Sequence, residues 1–200
     1  MALELWGNRE TMNIPEVVLV NIQSNDYFKN HLFELKTYHE VLHEIQRAGK
    51  YLEPWVPGTQ VPSSAFCLLF KLFTLKLTEK QMIGMLNYKG CNLVRAIGFL
   101  YLRFCTPPKA LIDWYWDFLG DTAPVQVTQK GQPVKLGMFL RDLLTTMKWQ
   151  GLILPRIPVP IAKEIEGHLR DWEQEFPEEA REFLDRPGAD NHRSKGDRRS

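Results

Sequence analysis

The sequence predicts an all-α fold: a single compact multi-helix domain with one small β-hairpin near residues 124–136 and a disordered C-terminal tail. Three observations carry this prediction. Residues 64–78 are too evenly apolar for a half-buried strand and too short for a membrane span, which needs about 20 apolar residues. Two capping boxes mark helix starts, and prolines and glycines separate the helical segments. The length of 200 residues suits one domain.

The first 48 residues predict three short helices after an irregular segment, residues 1–13. Asn13 is expected to cap the first helix, which has a proline in its first turn. Residues 24–33 predict the second helix. Thr37 and Glu40 form a capping box, in which each side chain bonds the other residue's backbone amide, so a third helix begins there.

The apolar residues 64–78 are predicted to form the central core helix, with Ser63 or Ser64 as its cap. A proline-rich loop, residues 50–62, precedes it and places Trp55 against the body of the domain. Thr78 and Gln81, directly after the central helix, form the second capping box and open the next helix.

A long helix is predicted over residues 93–104, with Asn92 as its cap. Gly98 in its interior costs about 1 kcal/mol relative to alanine. We therefore expect Gly98 to allow close approach of a neighbour, which we take to be the central helix. A further continuous helix is expected to open at residues 106–108 and to end at Gly120.

The C-terminal third contains the predicted hairpin, a helix, an apolar strap rich in proline and a final helical part. Because prolines lack an amide donor, the strap is not expected to be helical. An acidic helical segment follows, and we divide the chain into a helical domain of residues 1–175 and a charged tail of residues 176–200. The hairpin, helix, strap and final helix are assigned to residues 124–136, 137–147, 152–160 and 161–174.

Charge and cysteine content exclude several protein classes. The net charge is +1, which gives no global argument for nucleic acid or membrane binding. The odd number of cysteines, at spacings that fit no zinc or redox motif, predicts reduced thiols in a reducing compartment. The N-terminus has neither a basic start nor a long apolar stretch, so no signal peptide is expected. The cysteines are Cys67, Cys91 and Cys105.

One short motif matches a catalytic pattern. His39, Glu40 and His43 have the H-E-x-x-H spacing of zinc proteases, which places two histidines one helical turn apart beside a general base. However, a catalytic zinc site needs a third ligand, and the sequence that follows supplies none nearby. The alternative is structural: Glu40 completes the capping box, and both histidines flank a buried helix face. Zinc hydrolysis is therefore the most distant functional hypothesis.

Arg95, Phe99 and Arg103 are spaced i, i+4 and i+8, so they share one stripe of their helix. Two interpretations are open. The stripe is a contact surface for phosphate or an acidic partner, or it is a solvated face with Arg103 paired to a local carboxylate. Trp55 in the loop and Arg156 in the strap complete the candidate partner-binding residues. No phosphate-binding loop or nucleophile motif is present, so the residues alone argue against an enzyme.

Several stretches together resemble the pre-mRNA-processing factor 38 family of the spliceosome, and most closely its factor 38B branch. They follow the family's order and cover roughly residues 5–165, which makes the resemblance far more specific than the five-residue zinc pattern. The stretches are residues 5–13 (LWGNRETMN), 27–41 (YFKNHLFELKTYHEV), 53–55 (EPW), 64–78 (SAFCLLFKLFTLKLT), 95–103 (RAIGFLYLR) and 154–160 (LPRIPVP).

The resemblance implies a non-enzymatic, nuclear splicing factor that acts as a protein–protein interaction scaffold of the tri-snRNP and the pre-catalytic spliceosome and is needed for spliceosome activation. It implies other spliceosomal proteins as partners, with no cofactor, small-molecule substrate or membrane. The alternative is an RNA-binding module that contacts snRNA or pre-mRNA through surface arginines and lysines. Family members often continue into a long Arg/Ser-rich tail, of which only residues 191–200 have any counterpart here.

Overall fold

The predicted central helix is α3, and the domain is built around it. In the computed structural model, which describes residues 1–184 with side chains through residue 181, α3 spans Ser64–Thr74. Every residue from 65 to 73 is buried, Lys71 included. The hydroxyl of Ser63 caps the helix by accepting a hydrogen bond from the amide of Phe66, at 3.3 Å.

Helices form most of the described chain, which confirms the all-α prediction. Helices α2 and α5 pack directly against α3, and α7 packs against α5. No helix among residues 1–184 is long and apolar enough to cross a bilayer. The other α-helices are α1 (Glu16–Ser24), α2 (Tyr38–Ala48), α4 (Glu79–Leu86), α5 (Asn92–Cys105), α6 (Leu111–Tyr115), α7 (Leu136–Thr145), α8 (Val159–Glu175) and α9 (Pro177–Leu184).

Both predicted capping boxes are confirmed. The Thr37 hydroxyl accepts from the Glu40 amide at 3.3 Å, and the Glu40 carboxylate accepts from the Thr37 amide at 2.7 Å. Thr78 and Gln81 make the same reciprocal pair, at 3.2 and 2.9 Å, and open α4. Each box satisfies two backbone amides that a helix start would otherwise leave unpaired.

Two predicted asparagine caps are wrong, because both side chains bond across the fold instead. Asn13 lies before the actual cap, Pro15, and its amide nitrogen donates to the carbonyls of Trp6 and Phe104, at 3.0 and 2.7 Å. These bonds hold the N-terminal segment against the end of α5. Asn92 is inside α5, and its side chain donates to the carbonyl of Pro124 at 3.0 Å.

The predicted hairpin is present, and the structure adds a second one. Strands β1 (Pro124–Val125) and β2 (Val134–Lys135) pair antiparallel within the predicted region. Strands β3 (Lys148–Trp149) and β4 (Leu152–Ile153) also pair, across a Gln150–Gly151 turn in which both residues have positive φ. The non-helical strap prediction holds for residues 152–158, of which β4 takes the first two, and is wrong at its end, because α8 begins at Val159.

Three further boundaries differ from prediction. Residues 27–32 wind as a π-helix, Tyr27–Leu32. The expected continuous helix up to Gly120 is divided, because 3₁₀ turns at Pro108–Ala110 and Trp116–Phe118 flank α6. Gly98 does allow close packing, but its neighbour is α4 rather than α3: a Cβ there would lie 2.9 Å from Leu86 Cδ2.

The C-terminal part of the described chain is helical. Helix α9 packs back on α8 and buries Ala180. The predicted disorder of the tail after Arg186 lies outside the described residues, and the division after residue 175 stays a prediction.

Cys67 and Cys105 are buried free thiols and Cys91 is half-buried. Burial raises the pKa of Cys67 to about 12, which makes this thiol unreactive.

Candidate protein-interaction site

The predicted stripe on α5 faces the interior of the domain. Arg95, Phe99 and Arg103 do share one face of the helix, but Phe99 is fully buried and Arg103 is only 3% exposed. An accessible contact stripe and a solvated face are therefore both wrong. The i, i+4, i+8 spacing identifies residues on one face and does not say whether that face meets solvent, and α5 is buried on nearly all sides.

Arg103 caps the C-terminal end of α7. Its Nε donates to the carbonyl of Leu143 at 2.7 Å, and one terminal nitrogen donates to the carbonyl of Pro155 at 2.8 Å. The last four carbonyls of a helix lack partners within the helix and carry its negative dipole end, so a buried cation is favourable there. Arg103 thereby ties α5, α7 and the strap together.

Arg95 caps the C-terminal end of α4 in the same way. Its Nε donates to the carbonyl of Leu86, the last residue of α4, at 2.8 Å, and a terminal nitrogen pairs with the carboxylate of Asp121. The Arg95 side chain is only 12% exposed. Phe99 lies between the two arginines, with its ring 5.0 Å from that of Tyr115. The three predicted residues therefore hold the fold together and leave little surface for a phosphate.

Trp55 and Arg156 are the two predicted residues that a partner can reach. Trp55 is half-buried, and its backbone forms an isolated antiparallel bridge with Pro62 that closes the loop. Arg156 is exposed in the strap and makes no ion pair with the side chains described, those of residues 1–181. Two large apolar side chains near it in the chain, Ile153 and Met147, are also exposed.

The zinc-protease pattern does not form a catalytic site. His39 and His43 are both exposed on α2, whereas the Glu40 carboxylate accepts hydrogen bonds from the amides of Thr37 and Lys36, at 2.7 and 2.8 Å. These bonds lower the pKa of Glu40, which makes it a poorer general base. Within the described part of the chain, no three His, Cys, Asp or Glu residues are grouped to hold a metal.

Glu44, the other acidic residue of α2, is buried at the centre of a polar cluster. Arg47 donates to it at 2.8 and 2.7 Å and Tyr27 at 2.7 Å, while His31 Nε2 lies 3.0 Å away. Burial alone would raise the pKa of Glu44, but hydrogen bonds from Arg47, Tyr27 and His31 outweigh it and lower this pKa to about 2. The cluster joins α2 to the π-helical turn.

An apolar groove of about 540 Å³ lies between α2 and α4, and none of the predicted partner-binding residues forms it. We call it the α2–α4 groove. Gly84 of α4 is part of the groove's lining, and its lack of a side chain leaves open space there. Two signals for this groove were present in the sequence: His39, which was assigned to the zinc pattern, and Gly84 within a predicted helix. The groove is lined by Tyr38, His39, Leu42, Lys80, Gly84 and Tyr88, among others.

Comparison with known proteins identifies the family. The family model described as PRP38 family matches residues 3–167 of this chain. The chain belongs to the PRP38 family. This confirms the resemblance found in the sequence, and the relatives agree with the 38B branch. Pre-mRNA-splicing factor 38B of Danio rerio is 41% identical over 196 residues, which cover 88% of this chain and 39% of that protein.

Two further comparisons extend the result. Pre-mRNA splicing factor SR-like 1 of Arabidopsis thaliana is 42% identical over 157 residues, covering 78% of this chain and 40% of that protein. The chain thus spans about two fifths of the length of these curated relatives. A chain from the crystal structure of the Snu23–Prp38–MFAP1(217–258) complex of Chaetomium thermophilum superposes with a TM-score of 0.71 at 18% identity, covering 88% of this chain and all of that one. This match shows a shared fold.

Proposed function

We propose that this chain is a non-enzymatic pre-mRNA splicing factor, a protein–protein interaction scaffold of the tri-snRNP and pre-catalytic spliceosome that is needed for spliceosome activation in the nucleus. Membership of the PRP38 family carries the proposal. Relatives named as splicing factors align along most of the chain, and a chain of the same fold comes from a complex with two other proteins.

The charged side chains that the structure ties up in hydrogen bonds support a docking role rather than chemistry. Arg95 and Arg103 are used to cap helices, Glu40 is used in a capping box and Glu44 holds a buried polar cluster. These charged groups rigidify the fold and do not converge on a cleft. A rigid helical body presents preformed surfaces at low entropic cost, which is what a scaffold requires.

Trp55 and Arg156 are the predicted residues that we propose for direct partner contact. Tryptophan and arginine are enriched among residues that dominate binding energy at interfaces. Arg156 lies on an exposed part of the strap, and Trp55 is half-buried in the loop before α3. Arg103 supports the strap from within, because it donates a hydrogen bond to the carbonyl of Pro155 directly before Arg156.

The proposal is tested in a nuclear extract. A tagged full chain is added to splicing reactions that are arrested before activation, and the complexes are separated on a glycerol gradient. The proposal predicts that the chain sediments with pre-catalytic complexes and that extracts depleted of the protein accumulate those complexes without activating them. Sedimentation only with free protein, together with normal activation after depletion, would contradict it.

Direct contact with snRNA or pre-mRNA remains the alternative. It now has to rest on exposed lysines and arginines other than Arg95 and Arg103, which are bonded inside the fold. Each neutralised phosphate of single-stranded RNA should contribute about 0.7 to the slope of log affinity against log salt concentration. RNA binding that does not change with salt, or no binding near physiological ionic strength, would reject this alternative.

A further inference from the structure

We propose that the α2–α4 groove is the docking site for an acidic protein segment that inserts at least one large apolar side chain. The inference rests on the proposed scaffold function and names the chemistry of one partner. It depends on three features of the groove: an opening over Gly84, two fixed tyrosines and a charged lining of one sign.

Gly84 gives the groove its depth. A Cβ atom at this position would meet only the hydroxyl of Tyr38, at 3.5 Å, so there is open space above this turn of α4. Leu42 contributes an apolar part of the groove's lining. An apolar side chain from a partner can therefore approach the backbone of α4 closely and bury its surface against Leu42.

The aromatic walls are already held in position. Tyr38 Oη donates to the carbonyl of Gln81 at 2.9 Å, and Gln46 Nε2 donates to Tyr88 Oη at 2.9 Å. The ring of His39 lies edge-on to that of Tyr38, with centroids 5.1 Å apart. Binding of a partner in this groove therefore loses little conformational entropy at the tyrosine side chains. Tyrosine is also a residue type that often dominates binding energy at interfaces.

The charge of the lining selects an acidic partner. Lys80 supplies the positive charge of the groove's lining, and among the described residues no carboxylate lines the groove. Both acidic residues of α2 are bonded elsewhere: the Glu40 carboxylate accepts hydrogen bonds in the capping box, and the Glu44 carboxylate pairs with Arg47. Carboxylates of a partner would thus meet Lys80 without a competing acid, and charge complementarity of this kind favours the right partner and speeds association.

Site-specific photo-crosslinking in a nuclear extract tests the inference. The crosslinker replaces His43, which is exposed one turn along α2 from His39, in the full chain. Mass spectrometry then identifies the crosslinked segment, which is synthesised as a peptide for affinity measurements. Gly84→Gln fills the groove, and Gly84→Ala is the matched control. Lys80→Glu reverses the charge without harm to α4, because an acidic residue suits the first turn of a helix.

The inference predicts a net negative segment with a large apolar residue. Its affinity should fall at least tenfold with Gly84→Gln and with Lys80→Glu, and should change less than threefold with Gly84→Ala. A basic or uncharged segment would overturn the acidic assignment. Failure to crosslink at position 43, while the chain still captures spliceosomal proteins, would overturn the groove as a docking site and leave the scaffold function intact. Capture of no spliceosomal protein would refute both.

Discussion

Replacing Arg103 with methionine removes a buried guanidinium while keeping most of the side-chain volume. The substitution leaves the carbonyls of Leu143 and Pro155 without the donors they now have, at 2.7 and 2.8 Å. An unsatisfied buried carbonyl costs about 1–3 kcal/mol, which applies in full to Leu143 and as an upper limit to the part-buried Pro155, so the two together cost at most about 2–6 kcal/mol. Arg103→Met should therefore destabilise the domain, and the free energy of unfolding measures by how much.

The desolvation of the Arg103 charge opposes this loss and reduces the net change in the free energy of unfolding. Burial lowers the pKa of Arg103, because removing the charged guanidinium from water is unfavourable. Methionine has no charge, so the substitution removes this desolvation penalty. We therefore expect a net loss of about 2–4 kcal/mol for Arg103→Met, in the lower half of the carbonyl range. Arg103→Lys retains the charge but cannot reproduce the fork that spans two carbonyls, so it should lie between the wild type and Arg103→Met.

Equilibrium unfolding in urea, followed by tryptophan fluorescence and circular dichroism, measures these differences. Arg95→Met is the matched control on the same face of α5. The Asp121 carboxylate that Arg95 pairs with is 24% exposed, so water can replace part of the lost bonding, and the expected cost is about 1 kcal/mol. If Arg103→Met were as stable as the wild type, or more stable, desolvation would outweigh hydrogen bonding, and the capping role of Arg103 would be refuted.

Three further predictions concern other parts of the fold. The pKa of Glu44 falls from 4.5 to about 2 on folding, so its cluster should stabilise the fold by about 3 kcal/mol above pH 4.5 and lose that contribution as pH falls toward 2. Glu44→Gln should abolish this part of the acid dependence in urea unfolding; equal acid dependence in both proteins would count against it. Gly84→Ala should raise the free energy of unfolding by about 1 kcal/mol, whereas Gly98→Ala should lower it by about 1–3 kcal/mol, because its Cβ would lie 2.9 Å from Leu86. Changes of equal sign would show that packing around the two glycines has been misassigned. Zinc or a chelator should leave the melting temperature unchanged, and His43→Ala should behave like the wild type; stoichiometric bound zinc that is lost in His43→Ala would revive the hydrolase hypothesis.

Local signals made much of the fold predictable from the sequence. The capping boxes that open α2 and α4 depend on residues three apart, and the buried central helix follows from an apolar run without a polar face. The second hairpin gave little signal, because each of its strands has only two residues. Asn13 and Asn92 are residues of a type that commonly caps helices, but their side chains donate hydrogen bonds to carbonyls distant in sequence. Tertiary contacts overrode local preference at both positions.

The candidate site was harder to predict than the fold. Periodicity placed Arg95, Phe99 and Arg103 on one face correctly, but it gave no information on which neighbours cover that face. The carbonyls that hold the two arginines belong to the ends of α4 and α7, so their role is visible only in the assembled domain. The α2–α4 groove likewise brings together His39 and Lys80, which are far apart in sequence.

The central claim is that this chain acts by binding proteins of the splicing machinery. The most direct measurement is affinity capture of the tagged chain from nuclear extract, with and without ribonuclease treatment, followed by quantitative mass spectrometry. The account predicts that a small set of spliceosomal proteins stays bound at unchanged stoichiometry after ribonuclease, and that the exposed-site variant Arg156→Glu captures less of that set while Arg95→Met captures it normally. Loss of all bound proteins on ribonuclease treatment would contradict the scaffold account and favour RNA binding.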